Sequence, residues 1–194
     1  MKAIEDATEK DAEFIRLKQE ASAAQAAGDF RRADELLSAA AAIKPELALV
    51  LGEKALIAHK RREAVRWYVE CFNHCANRHL QQICLINIGL IQLDWGFYEP
   101  AETLFNKALD IGPSIVALGN LGLLRMYQGR MAEAEQLMRQ VVKADPKFSR
   151  AQFTLSLILL CLGRFGEGWH RFRHRFKGAL KPIAIPQGLW YPEP

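Results

Sequence analysis

The sequence predicts an all-α chain built of stacked helix pairs. Three observations predict it: a motif that returns about every 34 residues, apolar residues spaced three and four apart within each return, and no sustained alternation of β-branched and polar residues that would mark a strand. The length of 194 residues suits one domain or one short repeat array, since a domain takes roughly 100–200 residues. A hydrophobic share of 50% and a charged share of 25% exclude a disordered or collagen-like chain.

The returning motif is a turn. Gly28-Asp29-Phe30-Arg31-Arg32-Ala33, Gly96-Phe97-Tyr98-Glu99-Pro100-Ala101, Gly129-Arg130-Met131-Ala132-Glu133-Ala134 and Gly163-Arg164-Phe165-Gly166-Glu167-Gly168 share a glycine, a bulky residue and a small residue five along, and His59 to Ala64 is a degraded fifth copy. The small residues are 31, 37, 33 and 34 apart, and the first two intervals together make twice 34. Before each turn, Leu51-Gly52, Ile88-Gly89 and Leu121-Gly122 place a residue without bulk where two helix axes approach; Glu20-Ala21 and Leu155-Ser156 hold the same column. After each turn, Leu37, Tyr68, Phe105, Met138 and Phe172 stand four residues beyond the small position, one helical turn on and on the same buried face. Pro45, Pro113 and Pro146 stop the second helices of their copies, because proline lacks the amide proton a continuing helix needs.

These residues resemble the tetratricopeptide repeat, whose pattern runs W-x2-L-G-x2-Y, then A-x3-F, then P. The anchors are Ile88-Gly89, Ala101, Phe105 and Pro113 in the third copy, and Leu121-Gly122, Ala134, Met138 and Pro146 in the fourth. The resemblance implies a right-handed α-solenoid of about five helix-turn-helix repeats, each packing on its neighbours, with a concave face lined by first helices. The expected organisation is a helical lead-in over 1–13, an array over 14–178 (about 14–45, 46–81, 82–114, 115–148 and 149–178), and a proline-rich tail or linker over 179–194. The second copy departs most, with His59 for the turn glycine and Ala76 for the proline.

Function is then expected in the groove. In copy three Ile83, Ile86, Leu90 and Leu93 form a second apolar stripe; its equivalents are Val116, Gly119, Leu123 and Met126 in copy four and Arg150, Phe153, Leu157 and Leu160 in copy five. In copy one the stripe is polar: Ile15, Lys18, Ser22 and Gln25. The candidate peptide-binding residues are Ile83, Ile86, Asn87, Leu90, Val116, Asn120, Leu123, Tyr127, Arg150, Phe153 and Leu157, with Arg150 at the edge able to meet a carboxylate. Such a patch seats a protein or peptide partner such as an amphipathic helix, or it is covered by the tail Lys181 to Pro194 or by a second copy of the chain. Asn87 and Asn120 share a column from which a side-chain amide can bond a peptide backbone, as in the tetratricopeptide portions of O-linked N-acetylglucosamine transferases. Asparagine is nonetheless common at that column, and Gln19, Glu53 and Thr154 interrupt the ladder.

Other chemistry is not expected. Cys71, Cys75 and His79 recur at i, i+4 and i+8, with His74 and Cys84 nearby, but the spacing is not that of a zinc site, and Cys71 shares a small core column with Ala40 and Ala108. No metal, no cofactor and no catalytic residue is assigned, because no phosphate loop, nucleophile elbow or zinc-protease motif occurs. The most apolar stretch, Phe153 to Leu162, is well short of the roughly 18 residues a membrane span needs. The start MKAIEDATEK has no apolar stretch, so the expected compartment is the cytoplasm.

The charge is unevenly distributed: residues 164–181 hold six bases and one acid. Trp169, Phe172 and Phe176, interleaved with Arg171, Arg173 and Arg175, fit either a nucleic-acid strand or an ordinary packing stripe with solvated arginines. Leu162-Gly163-Arg164-Phe165, Gly168-Trp169, Phe172, Arg173 and Arg175, followed by Pro182, Pro186 and Leu189 to Pro194, are also similar to the junction at which bacterial tetratricopeptide proteins continue into a glycosyltransferase domain. The expected function is a non-catalytic protein–protein interaction scaffold or adaptor. The alternatives are the acceptor-recruiting segment of a protein glycosyltransferase and an RNA-binding helical repeat protein.

Overall fold

A computed structural model describes residues 2–173, with side chains from Thr8 onward. The proline-rich tail, the glycosyltransferase-like junction and Phe176 lie outside the described residues. Ten helices and no strand occur among the described residues: α1 Lys2–Ala26, α2 Phe30–Ile43, α3 Pro45–Ile57, α4 Arg61–His74, α5 Arg78–Asp94, α6 Tyr98–Ile111, α7 Ile115–Tyr127, α8 Met131–Ala144, α9 Ser149–Cys161 and α10 Phe165–Phe172. The all-α expectation holds. None of these helices is long and apolar enough to cross a membrane.

The turns explain the pairing. Gly28, Gly96, Gly129 and Gly163 have φ between +74° and +80°, and His59 has φ +59° at the same place in its repeat. Left-handed backbone there reverses the chain, and it lets the next amide reach back five residues. Those bonds recur in every copy: Asp29 N to Ala24 O at 2.9 Å, Lys60 N to Ala55 O at 2.8 Å, Phe97 N to Gln92 O at 2.9 Å, Arg130 N to Arg125 O at 2.9 Å and Arg164 N to Leu159 O at 2.8 Å. The second copy thus keeps the geometry with a residue that takes it at a steric cost.

The chain divides into two compact units between Ala117 and Leu118. In the first, α1 pairs with α2, α3 with α4 and α5 with α6. A Cβ added to Gly52 would stand 2.7 Å from the Tyr68 ring, and one added to Gly89 would stand 2.6 Å from the Phe105 ring. Bulk on the second helix therefore fills the space vacated on the first. Ala40, Cys71 and Ala108, one column, are all fully buried. Helix α2 ends at Ile43, just before Pro45, which is also the first residue of α3. The lead-in is continuous with the first helix, as α1 runs unbroken from Lys2. Helix α5 starts at Arg78, where the Asn77 side chain accepts from His79 N at 2.9 Å.

In the second unit the rest of α7, α8, α9 and α10 repeat the scheme. A Cβ on Gly122 would meet Met138 Cε at 3.0 Å, and one on Gly168 would meet Leu160 at 2.8 Å. The core there joins Ala134, Met138 and Val141 to Ala151, Leu155, Ile158 and Leu159. Charges lock α8 to α10. Arg139 reaches Glu135 at 2.7 Å and Glu167 at 2.8 Å, while Arg164 pairs with Glu135 and with Glu167 at 2.9 Å.

Candidate functional site

In the first unit the candidate residues lie on α5 and at the start of α7. Ile86 is only 6% exposed and packs with Leu85, Ala108 and Ala117, so it belongs to the core and not to an open face. Ile83, Asn87 and Leu90 are half-buried, and Val116 is exposed. Gln82, unmarked in the sequence, donates from Nε2 to Ala108 O at 2.8 Å and to Gly112 O at 2.7 Å, while Arg78 donates to Ile111 O at 2.9 Å. These two close the carboxyl end of α6, whose last carbonyls have no intrahelical partner.

In the second unit α7 contributes Asn120, Leu123 and Tyr127, and α9 contributes Arg150, Phe153 and Leu157. Asn120 is 5% exposed, and its amide nitrogen Nδ2 has no hydrogen-bond partner. Leu123 borders the core, Leu157 is half-buried, and Tyr127 and Arg150 are exposed. The Phe153 ring lies 5.6 Å from Phe172, which lies 5.2 Å from Trp169. Trp169 departs from the packing stripe expected of it, because it is 59% exposed. Arg171 departs from the solvated role: it donates to Glu167 at 3.1 Å and to Gln152 Oε1 at 2.5 Å. Hydrogen bonds from Arg139, and then from Arg171, hold the Glu167 carboxyl below the usual carboxylate range against partial burial.

Sequence reasoning passed over the amino end, where α1, α2 and α3 enclose a basin of about 590 Å³. Ala21, Leu37, Leu47, Val50 and Leu51 supply apolar lining, and Lys18, Lys44 and Lys54 stand around it with Glu46. Lys44 Nζ is 2.8 Å from Asp11 and 4.7 Å from the centre of the Phe14 ring, and Lys18 Nζ is 5.3 Å from that ring. The available signal was Lys18, Ser22 and Gln25, read only as a polar end.

The cysteines are core residues. Cys71 and Cys84 are fully buried, and burial pushes both thiols up, Cys84 furthest. Cys75 is buried as well, its sulfur accepting from Asn77 N at 3.3 Å, whereas His79 faces solvent. Among the described residues no group of three His, Cys, Asp or Glu side chains is arranged to hold a metal ion.

Residues 120–168 match the tetratricopeptide repeat family model, spanning the two-helix units from α7 to the start of α10. Protein FlbA of Caulobacter vibrioides is 29% identical over 111 residues, covering 53% of this chain but 18% of its own length, so the chain spans less than a fifth of that relative. Among solved structures, a crystal structure of MamA has a TM-score of 0.58 at 17% identity, covering 81% of this chain and 92% of its own. Pseudomonas aeruginosa PilF has a TM-score of 0.61 at 14% identity, covering 89% and 79%. YrrB, described as a TPR protein with an unusual peptide-binding site, has a TM-score of 0.55 at 15% identity, covering 91% and 90%. At such identities the likeness shows the fold alone, an all-helical array like theirs, and the repeat-family match rests on residues 120–168.

Proposed function

We propose that the chain is a non-catalytic scaffold that binds a protein partner, as an extended peptide or an amphipathic helix, on first-helix faces. The observation that carries the reading is the Asn120 amide. A buried donor without an acceptor costs about 1–3 kcal/mol, and a turn of the Asn120 side chain toward a bound peptide carbonyl would relieve it. Leu123 and Tyr127 on the same helix, with Phe153, Leu157 and Arg150 on α9, supply apolar contact and a cation for a carboxylate. Ile83, Asn87 and Leu90 on α5 and Val116 on α7 would supply a second face on the first unit, with Ile86 beside Leu90 in the core. The fold shared with YrrB, itself described by a peptide-binding site, is consistent with this use.

The test is selection of displayed peptides on the full chain, followed by calorimetry with Asn120→Ala and Leu123→Asp. Each substitution is expected to weaken the selected peptide about tenfold or more, which corresponds to the loss of one buried hydrogen bond or one apolar contact. Far-UV circular dichroism should stay unchanged. Equal affinity for both variants would sink the reading.

A further inference from the structure

We propose that the basin between α1 and α3 is a second peptide seat, taking an acidic segment that carries one or two bulky apolar side chains. This rests on the peptide-binding reading above and adds a chemically distinct site on the first unit. Its volume of about 590 Å³ falls within the roughly 300–1,000 Å³ usual for ligand pockets. The floor is apolar but not closed: Val50 is 44% exposed, and Leu47 and Leu51 are half-buried. An apolar side chain entering there removes this surface from water.

The rim selects the charge of what enters. Three lysines stand around the basin against Glu46 in its lining and Asp11, the partner of Lys44, so the excess positive charge lies on Lys18 and Lys54. Asp11 and the Phe14 ring hold Lys44 in place, which leaves Lys18 and Lys54 to meet the charge of a ligand. Among the described residues Lys18 and Lys54 have no carboxylate within ion-pair distance. A ligand bearing carboxylates on both sides of its apolar anchor meets one lysine on α1 and another on α3. A basic ligand meets like charge from both. Because the lysines are exposed, the attraction is screened by salt over about 8–10 Å, and the preference is expected to fade as salt rises.

The experiment uses the full chain and fluorescence anisotropy with two labelled octapeptides, EDELFDED and its neutral counterpart QNQLFNQN, at about 0.05 M and about 0.5 M salt. The acidic probe is expected to bind about tenfold tighter than the neutral one at low salt, with the advantage lost at high salt. Lys18→Glu with Lys54→Glu should erase the preference, Val50→Ser should weaken both probes, and Lys143→Glu in the last turn of α8, outside the basin lining, should change neither. Equal binding of the two probes, no saturable binding, or indifference to the lysine reversal would overturn the proposal. So would a salt-sensitive dimer that the lysine reversal dissociates, since the occupant would then be a second copy. If the acidic probe fails while selected peptides still depend on Asn120 and Leu123, only the basin is refuted. If the probe binds and those peptides ignore Asn120 and Leu123, the scaffold's second-unit face is what falls.

Discussion

Tyr68 occupies the volume that any side chain at Gly52 would need, its ring carbon Cε1 standing 2.7 Å from where a Cβ would be placed. The pair is sixteen residues apart, as are Gly89 with Phe105 and Gly122 with Met138. Size complementarity at that separation sets how closely the two helices of a repeat approach.

Gly89→Ala is expected to destabilise the first unit by about 1–3 kcal/mol, because a rigid Phe105 ring at 2.6 Å must move. Gly122→Ala should cost little. Its neighbours, the flexible end of Met138 at 3.0 Å and Leu137 Cβ at 3.3 Å, need to give only a few tenths of an ångström, and alanine gains up to about 1 kcal/mol over glycine within a helix. Urea denaturation of the two variants checks the difference, and equal losses would contradict it.

His59→Gly is expected to stabilise by about 1 kcal/mol, since a residue with a Cβ is strained at φ +59°. Gly96→Ala should destabilise even though nothing lies within 4 Å of the added methyl, because its φ is +80°. Thermal midpoints moving in opposite directions are the expected readout.

Tyr68 carries a buried hydroxyl with no hydrogen-bond partner, so Tyr68→Phe is expected to leave stability unchanged or raise it by up to about 1 kcal/mol. Burial first, then the charge of Glu53, pushes its pKa up to about 12. The folded state thus keeps a proton that an unfolded tyrosine loses near pH 10, so this contribution is fully present below pH 10 and is lost as pH rises toward 12. Absorbance titration should show one tyrosine ionising last, and that step should be missing in Tyr68→Phe.

Cys161 is exposed, whereas Cys71 and Cys84 are buried with raised thiol pKa values. A disulfide reagent at mildly alkaline pH should modify Cys161 quickly and the other two only on unfolding, since the thiolate is the reacting form. Mass spectrometry of the modified peptides reads the order, and early labelling of Cys84 would contradict the packing described.

The turns, the small positions and the knobs were legible because each is a single residue whose size or backbone freedom the repeat requires at a constant interval. His59 was identifiable as a turn from alignment alone, although its residue type argued against it. The start of α5 was harder to read, since Asn77 caps it in the second copy, where Ala76 stands in place of the closing proline. Ile86 reads as a groove residue by spacing, but Ala108 and Ala117 cover it, and that contact comes from packing with α6 and α7. The amino basin was illegible for the same reason. It depends on α1 and α3 facing each other across α2, and its lysines look like solvated charges until Phe14 and Asp11 are placed beside them.

The measurement closest to the central claim is amide hydrogen exchange of the full chain with and without a peptide selected on it. The account predicts that added protection concentrates in α7 and α9, around Asn120 to Tyr127 and Arg150 to Leu157. Protection confined to α8 and α10, with α7 and α9 unchanged, would contradict it.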